Sequence, residues 1–306
     1  MVSELSISCS LSDNFAQHFA VLAASALTNN PESILKFHVL HRNITDEHIA
    51  QIKKMEELYP GHCRMVFHRV PADAFIDAPR SSTHITHECY FRLLLPELLK
   101  DESRTLYLDI DILVKGDIRP LFEMDLEGCA CAAVNEHSYP SGSLMQKKLS
   151  PEEHTGDYFN SGVILMNLDY IRKHRLEIAC HDILAECGEH VGYADQDVLN
   201  YVFRNRVKWL SPRWNFLGKW PRGWTGARER PVIRHYTSFS QKPWNCKATR
   251  FTWLPYTYYL LKSSFRANAL AFVARHLRSF LWWRYHKNCI PCLDVFGIRM
   301  WRGRRG

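Results

Sequence analysis

Apolar residues along the chain recur with two periods. Residues 5–11 read as a buried strand, and from Asn14 onward Phe15, Phe19, Leu22, Ala23, Ala26 and Leu27 return at helical spacing, which predicts a strand, a loop and a helix with one buried face. The alternation continues with an apolar strand over 34–40, a helix opened by Thr45 as N-cap with Glu47 and Ile49 behind it, and a strand through Met65, Val66 and Phe67. A helix over 84–99, with Pro96 near its end as a kink or stop, leads into a strand over 105–108. Strands at 129–134 and 162–167 and helices at 171–186 and 196–204 complete the regular part. Alternation at this spacing implies an α/β domain built on a mostly parallel central sheet. Beyond Trp209 the chain turns rich in Trp, Pro, Gly and Arg, which predicts irregular, substrate-facing structure.

A chain of 306 residues fits one catalytic domain, placed at 1–255, and an appendage at 256–306. Apolar residues at 46% and charged residues at 23% are ordinary for a globular protein. The net charge of +7 raises the question of nucleic acid, but its distribution answers it. Residues 257–306 hold ten Lys and Arg against the single acid Asp294, which leaves the rest of the chain at net −2. A near-neutral body with a cationic end argues against a nucleic-acid groove and for a peripheral surface contact.

The tail reads as an amphipathic helix with Leu270, Val273, Leu277, Phe280 and Leu281 on one face and Arg275 and Arg278 away from it. Arg interruptions rule out a membrane-spanning helix. With Trp282, Trp283, Arg302, Arg304 and Arg305 the tail suits an anionic bilayer surface; the competing reading is a helix packed on the catalytic domain with a disordered basic end. The start Met1, Val2, Ser3, Glu4 lacks the basic and apolar regions of a secretory signal, and the ten scattered cysteines read as free thiols. The expected location is therefore the cytoplasm, peripheral on the inner face of the cytoplasmic membrane. Cys289 and Cys292 form a lone C-x-x-C, read as unpaired thiols because a structural zinc needs more ligands.

The run Leu106, Tyr107, Leu108, Asp109, Ile110, Asp111 places two carboxylates just past a strand's carboxyl end, where ligands sit in open α/β sheets. Alternate residues point the same way, so Asp109 and Asp111 can face one divalent cation while Ile110 points inward. Mn²⁺ or Mg²⁺ there would neutralise a leaving diphosphate. Alone, the pair also fits two loop acids capping a turn, or a haloacid-dehalogenase-type phosphatase with Asp109 as nucleophile.

Four segments in order resemble glycosyltransferase family 8, in particular the bacterial lipopolysaccharide α-galactosyl- and α-glucosyltransferases: Tyr107-Leu108-Asp109-Ile110-Asp111, Tyr158-Phe159-Asn160-Ser161-Gly162-Val163, Ala194-Asp195-Gln196-Asp197, and His235-Tyr236 followed by Lys242-Pro243-Trp244. The resemblance covers nearly the whole chain. It implies a GT-A fold, the Rossmann-like nucleotide-diphospho-sugar transferase architecture, with a metal held by Asp109, Asp111 and His235. It further implies a UDP-sugar donor, a glycan or glycolipid acceptor such as lipopolysaccharide core, and transfer of galactose or glucose with retention of configuration. An imidazole ligand favours Mn²⁺ over Mg²⁺.

By the same resemblance Lys242 donates to the diphosphate, Arg92 bridges diphosphate and sugar, Asn160 and Ser161 contact the donor sugar, Asp195 holds its hydroxyls, and Gln196 lies beneath the anomeric carbon. Gln196, Asp195 and Arg92 are the residues placed at the reaction centre. Ser10, Ser12, Asp13, Asn14 and Phe15 match the loop that holds uracil and ribose, Ile110 accompanies the metal acids, and Asn135 lies near the sugar's outer hydroxyls. Ser12 stands where the galactosyltransferase pattern has an acid and Asn135 where it has an Asp, so donor identity stays open. The loop between His235 and Lys242 is one residue longer than in that pattern. Acceptor contacts fall to His84, the 135–139 loop with Tyr139, and the 214–220 segment with Trp214. Two competing functions are the phosphatase and a non-catalytic nucleotide-sugar or glycan-binding module; His235 and Lys242 have no place in the first.

Overall fold

The computed structural model describes residues 3–79, 86–136, 140–150, 153, 156–218, 229–245 and 252–287, with the pairs 294–295 and 298–299. The first half runs β1 (Ser3–Ser10), α1 (Ala16–Asn29), β2 (Ser33–His41), α2 (Asp46–Leu58), β3 (Cys63–Arg69), a 3-10 helix at His87–Leu94, α3 (Leu95–Leu98) and β4 (Arg104–Leu108). Next come β5 (Ile112–Val114), α4 (Arg119–Phe122), β6 (Cys131–Asn135), α5 (Leu144–Lys148) and β7 (Phe159–Asn167). The chain continues through α6 (Leu168–Lys173), α7 (Leu176–Cys187), α8 (Ala194–Phe203), β8 (Val207–Trp209), β9 (Ile233–His235), α9 (Trp253–Leu261) and α10 (Ala269–Lys287).

Seven strands form one sheet in the order β3-β2-β1-β4-β7-β6-β8. Every pairing is parallel except the two made by β7, which runs against β4 and β6. The mostly parallel sheet expected from the sequence is present. Because side chains alternate across a strand, the sheet divides the core in two: Leu5, Ile7, Leu106, Leu108, Val163 and Leu165 join the layer under α1, while Tyr107, Ile164 and Met166 join the layer under α7 and α8. Ser6 and Ser8, buried between the apolar residues of β1, both meet the Thr105 hydroxyl, at 3.1 and 2.6 Å, so these buried hydroxyls satisfy one another.

Local chemistry accounts for the boundaries. Thr45 caps α2 as expected, its hydroxyl accepting from His48 N–H at 3.3 Å. Ser12, ahead of the 3-10 turn Asp13–Phe15 that leads into α1, makes no capping bond; Asp13 accepts from the Thr45 backbone N–H at 2.8 Å and from the His48 ring at 2.7 Å. The expected helix over 84–99 begins later and is mostly 3-10, and residues 80–85, with His84, fall outside the described residues. Pro96 has no N–H to give to the Arg92 carbonyl, and Leu95 N–H takes it in a tighter turn.

The carboxyl-terminal helices do not separate from the domain at 255. Tyr256, Tyr259, Leu260, Phe265, Ala269 and Phe272 lie in the same core layer as α1. The Tyr259 hydroxyl accepts from Asn29 at 2.9 Å, and the Tyr256 hydroxyl lies 2.6 Å from His18 Nδ1. In α10 the buried stripe is Ala269, Phe272 and His276, whereas Leu270 and Leu277 of the expected apolar face are 85% and 44% exposed. Packing on α9, with Phe272 stacked on Tyr256 at 4.9 Å between ring centres, fixed the rotation of a helix whose apolar residues occupy two sides. Leu281 and Cys289 and Cys292 lie beyond the described side chains; Cys9, Cys63, Cys89, Cys129, Cys131, Cys180 and Cys187 are free thiols.

Several histidines are buried in their neutral form. Burial, with His68 beside it, brings His38 down to about 4, and burial, with Arg275 next, brings His18 down to about 3. The folded state thus binds fewer protons than the unfolded chain, whose imidazoles titrate near 6.5, so this stability is complete above about pH 6.5 and is lost as pH falls toward 4. His38 alone contributes a slope of about 1.4 kcal/mol per pH unit in that window. Urea unfolding at pH 7 and pH 5.5 is expected to show a loss of about 1–3 kcal/mol, and equal stability at both would contradict the neutral burial.

Candidate active site

A cleft of about 260 Å³ opens at the carboxyl edge of the parallel strands. Ser10 ends β1, Asp109 follows β4, and Asn160 and Ser161 begin β7, whose reversed direction brings its first residues to that same edge. The ladder extends one step past β4 where Asp109 N–H donates to Gly162 C=O at 2.9 Å. After the turn, β5 pairs antiparallel with β9, Ile112 opposite His235, and Tyr236 N–H donates to Asp111 C=O at 2.9 Å. A backbone ladder therefore carries His235 to both acids although 124 residues separate it from Asp111.

One oxygen or nitrogen from each of Asp109, Asp111 and His235 lies within 4.8 Å of the others. His235 Nε2 is 3.0 Å from Asp111 Oδ1 and 3.8 Å from Asp109 Oδ2. Lys242 Nζ donates to Asp111 Oδ2 at 2.7 Å. Burial pushes the Asp111 carboxyl up, but His235 and Lys242 outweigh it and hold the group well below the usual carboxylate range. The other side of the imidazole is fixed too: His235 Nδ1 lies 3.0 Å from Asn215 Oδ1.

Arg92 is buried beneath the cleft, its guanidinium 4.0 Å above the Tyr107 ring. It donates to Asp109 Oδ1 at 2.8 Å, to Cys89 C=O at 2.9 Å and to Ser161 C=O. Asp195 Oδ2 is 3.0 Å from Arg92 Nε, yet that N–H is aimed at Cys89, so the pair is ionic rather than a directed hydrogen bond. Burial raises the Asp195 carboxyl and Arg92 opposes the rise. Burial likewise works against the charged guanidinium, and Asp195, Tyr107 and Asp109 outweigh it. Gln196 Oε1 accepts from Ser161 N–H at 2.9 Å and from Asn160 Nδ2 at 3.2 Å, which fixes the direction of its carbonyl.

Of the residues singled out in the sequence, Ser10, Ser12, Phe15, Arg92, Asp109, Ile110, Asp111, Ser161, Asp195, Gln196 and Lys242 line the cleft. Asn160 and His235 lie directly behind them through the bonds just described. Asn14 accepts from the Ser12 hydroxyl at 2.8 Å. Asn135 turns away to Asp157 and accepts from Tyr158 N–H at 3.3 Å. Trp214 is 8% exposed within the core layer under α1, because the turn at Pro212–Trp214 directs it inward. His84 and Tyr139 lie outside the described residues.

Other site residues had no role assigned from sequence. Trp244 and Tyr193 line the cleft, and Trp244 stacks on His18 with ring centres 4.0 Å apart. Asp197 Oδ2 accepts from Gly192 and Tyr193 N–H at 2.8 and 2.9 Å, shaping the entry to α8. Asn200 ties α8 to β7 by donating to Phe159 C=O and accepting from Phe159 N–H. Glu136 faces Asn160, its carboxyl raised by burial against His235 and an Asn160 hydrogen bond. Gly162 packs against both His235 and Asp109. The signal for Gly162 was its place in the Asn160-Ser161-Gly162 run; Asn215 and Glu136 fell inside the segments read as acceptor contacts, but nothing local pointed to their places beside His235 and Asn160.

Comparison with known proteins decides what this geometry belongs to. Residues 6–248 match glycosyl transferase family 8. The chain belongs to glycosyl transferase family 8. Among family members and related proteins, General stress protein A of Bacillus subtilis (strain 168) is 30% identical over 258 residues, covering 78% of this chain and 86% of that protein. Lipopolysaccharide 1,2-glucosyltransferase of Escherichia coli (strain K12) is 28% identical, over 79% of this chain and 73% of its own. In three dimensions the fold matches a crystal structure of the galactosyltransferase LgtC in complex with donor and acceptor sugar analogs, with a TM-score of 0.71 and 26% identity over 85% of this chain and 96% of that one. The family 8 chain thus has the GT-A fold and is a glycosyltransferase, which sets the phosphatase and binding-module readings aside.

Proposed function

We propose that this family 8 enzyme transfers galactose or glucose from a UDP-sugar to a glycan, with retention of configuration and with Mn²⁺ at Asp109, Asp111 and His235. The carrying observation is the polarity of the site. Asn215 donates through Nδ2 to Asn160 Oδ1 at 3.0 Å, so its Oδ1 is the atom facing His235 Nδ1, which must then bear the hydrogen. His235 therefore turns its other ring nitrogen, Nε2, to the two carboxylates, so that three ligand atoms converge on one point, where a divalent cation would take the place of any proton on Nε2. A mixed nitrogen and oxygen set suits Mn²⁺ better than Mg²⁺. When bound, the ion supplies positive charge to a leaving diphosphate.

The chain's own groups serve the rest. Lys242 adds charge for the diphosphate, and Arg92, buried and held cationic, orients Asp109, Ser161 and Asp195 as one unit. Asp195 and Ser161 face the cleft as hydroxyl partners for the sugar, and Ser10, Ser12 and Phe15 are placed for base and ribose. A double displacement needs a carboxylate nucleophile. Asp195 is occupied by Arg92, and Gln196 is an amide, so departure and attack on one face of the sugar is the reading these residues favour. Incubation with UDP-galactose and UDP-glucose in Mn²⁺ is expected to release free sugar that proton NMR first detects as the α anomer; β first would overturn retention.

The acceptor is a lipid-linked glycan such as lipopolysaccharide core, reached from the cytoplasmic face of the membrane. Lipopolysaccharide 1,2-glucosyltransferase of Escherichia coli and lipopolysaccharide 1,3-galactosyltransferase of Salmonella typhimurium are both similar to this chain. Leu254, Tyr258, Leu261, Leu270 and Leu277 are exposed on α9 and α10, among Lys262, Arg266, Arg275 and Arg278, which supports docking on an anionic bilayer. No helix among the described residues is long and apolar enough to cross one. Replacing Leu270 and Leu277 by Gln is expected to cut sedimentation with phosphatidylglycerol vesicles at least about tenfold, since two exposed apolar side chains no longer entering the bilayer forfeit roughly 3 kcal/mol of binding; unchanged sedimentation removes the membrane contact.

A further inference from the structure

Asn215 joins two parts of the site that the ladder alone does not connect. It is 2% exposed, in the loop after Pro212–Trp214, and the loop is locked to β9 by Phe216 N–H to Ile233 C=O at 2.9 Å and His235 N–H to Phe216 C=O at 3.1 Å. One end of its carboxamide meets the imidazole of His235, and the other donates to Asn160 Oδ1 at 3.0 Å. Asn160 in turn donates to Gln196 Oε1 at 3.2 Å.

The direction of every bond in this chain is determined. Backbone N–H groups only donate. Ser161 N–H points at Gln196 Oε1 and Gly162 N–H at Asn160 Oδ1, 2.9 and 3.1 Å away, so both oxygens are acceptors. Asn160 Oδ1 then receives Asn215 Nδ2, and Asn215 Oδ1 receives the His235 Nδ1 hydrogen. Reversing either amide would set oxygen against oxygen, or nitrogen against a donor N–H.

We propose that Asn215 is a positioning residue that, by accepting the Nδ1 hydrogen of His235, fixes the ring with Nε2 turned to the metal centre and, through Asn160, holds Gln196 in register with it, so that metal affinity and sugar transfer depend on one buried carboxamide. This rests on the metal reading given above. Its two hydrogen bonds have separate consequences. The oxygen serves the metal centre and the nitrogen serves the transfer centre.

Two substitutions separate them. Asn215→Ala removes both bonds, and a partner lost behind a metal-binding histidine typically costs 10–100-fold in metal affinity, roughly. Asn215→Asp keeps an oxygen for His235 Nδ1–H but cannot donate to Asn160. Mn²⁺ affinity is read by the electron paramagnetic resonance of free Mn²⁺, and release of sugar from UDP-galactose and UDP-glucose gives kcat at saturating Mn²⁺, with urea unfolding run on each variant. The expected pattern is a Mn²⁺ dissociation constant raised about 10–100-fold in Asn215→Ala and within about threefold of the unsubstituted protein in Asn215→Asp, while kcat falls in both. Equal loss of Mn²⁺ affinity in both variants overturns the proposal, as does unaltered affinity in a folded Asn215→Ala. No Mn²⁺ binding by the unsubstituted protein overturns the metal reading itself, and is told apart from those outcomes by that sample alone.

Discussion

Asp111→Asn is expected to reduce metal-dependent sugar transfer by at least about a thousandfold, on the order of 4 kcal/mol in the barrier. Asp111 carries two roles at once, with His235 at 3.0 Å on one oxygen and Lys242 at 2.7 Å on the other. Asparagine keeps the shape but removes the charge that balances a cation. The fold is expected to survive, because the contact that closes β5 on β9 uses the Asp111 backbone carbonyl, not its side chain. Circular dichroism and a cooperative urea transition check this, with a loss of no more than about 3–5 kcal/mol, the usual cost of breaking a largely buried ion pair. Full Mn²⁺-dependent turnover by Asp111→Asn contradicts the assignment of the ligand.

Gly162→Ala is the second large effect. A Cβ there lies 2.2 Å from His235 Cε1 and 2.6 Å from Asp109 Oδ2, closer than atoms can approach. Neither neighbour can yield cheaply. His235 is held by Asn215 and by the β9 ladder, and Asp109 by Arg92. The strand must shift, or the ligands must part, so Mn²⁺ binding is expected to disappear and unfolding stability to fall by about 1–3 kcal/mol, the usual range for overpacking. Calorimetric Mn²⁺ titration beside urea unfolding checks both. Normal Mn²⁺ affinity in Gly162→Ala means that His235 and Asp109 do not meet across Gly162 as described.

The sequence made some of this legible and left the rest hidden for physical reasons. The strand ending in Asp109 and Asp111 declared itself locally, by an apolar run followed by two acids, and alternation of period two and 3.6 carried the α/β architecture. The position of β7 did not follow from its own pattern, since an apolar strand buried on both faces reads alike in either direction. His235 was found through the run of motifs it begins, not through its surroundings. Asn215 and Glu136 lay in segments read as acceptor contacts, and their places beside His235 and Asn160 stayed hidden because they come from contacts between segments far apart in the chain. In α10, apolar residues lie on two sides of the helix: the stripe with Leu270 and Leu277 that the sequence marked is exposed, while Ala269, Phe272 and His276, which it did not mark, are the buried side. Pro96 foretold a break in its helix, whereas the 3-10 winding over His87–Leu94 had no mark in the apolar spacing.

The most direct test of the account is thermal stabilisation of the unsubstituted protein and of Asp111→Asn by UDP-galactose and UDP-glucose, each with Mn²⁺ or with EDTA. No acceptor is required. A ligand at about a hundredfold over its dissociation constant adds roughly 2.7 kcal/mol to folding, a shift easily read. Stabilisation of the unsubstituted protein by at least one of these donors in Mn²⁺ is expected, with its loss in EDTA and its loss in Asp111→Asn. Equal stabilisation with Mn²⁺ and with EDTA, or none in either, contradicts a metal-dependent UDP-sugar site at Asp109, Asp111 and His235.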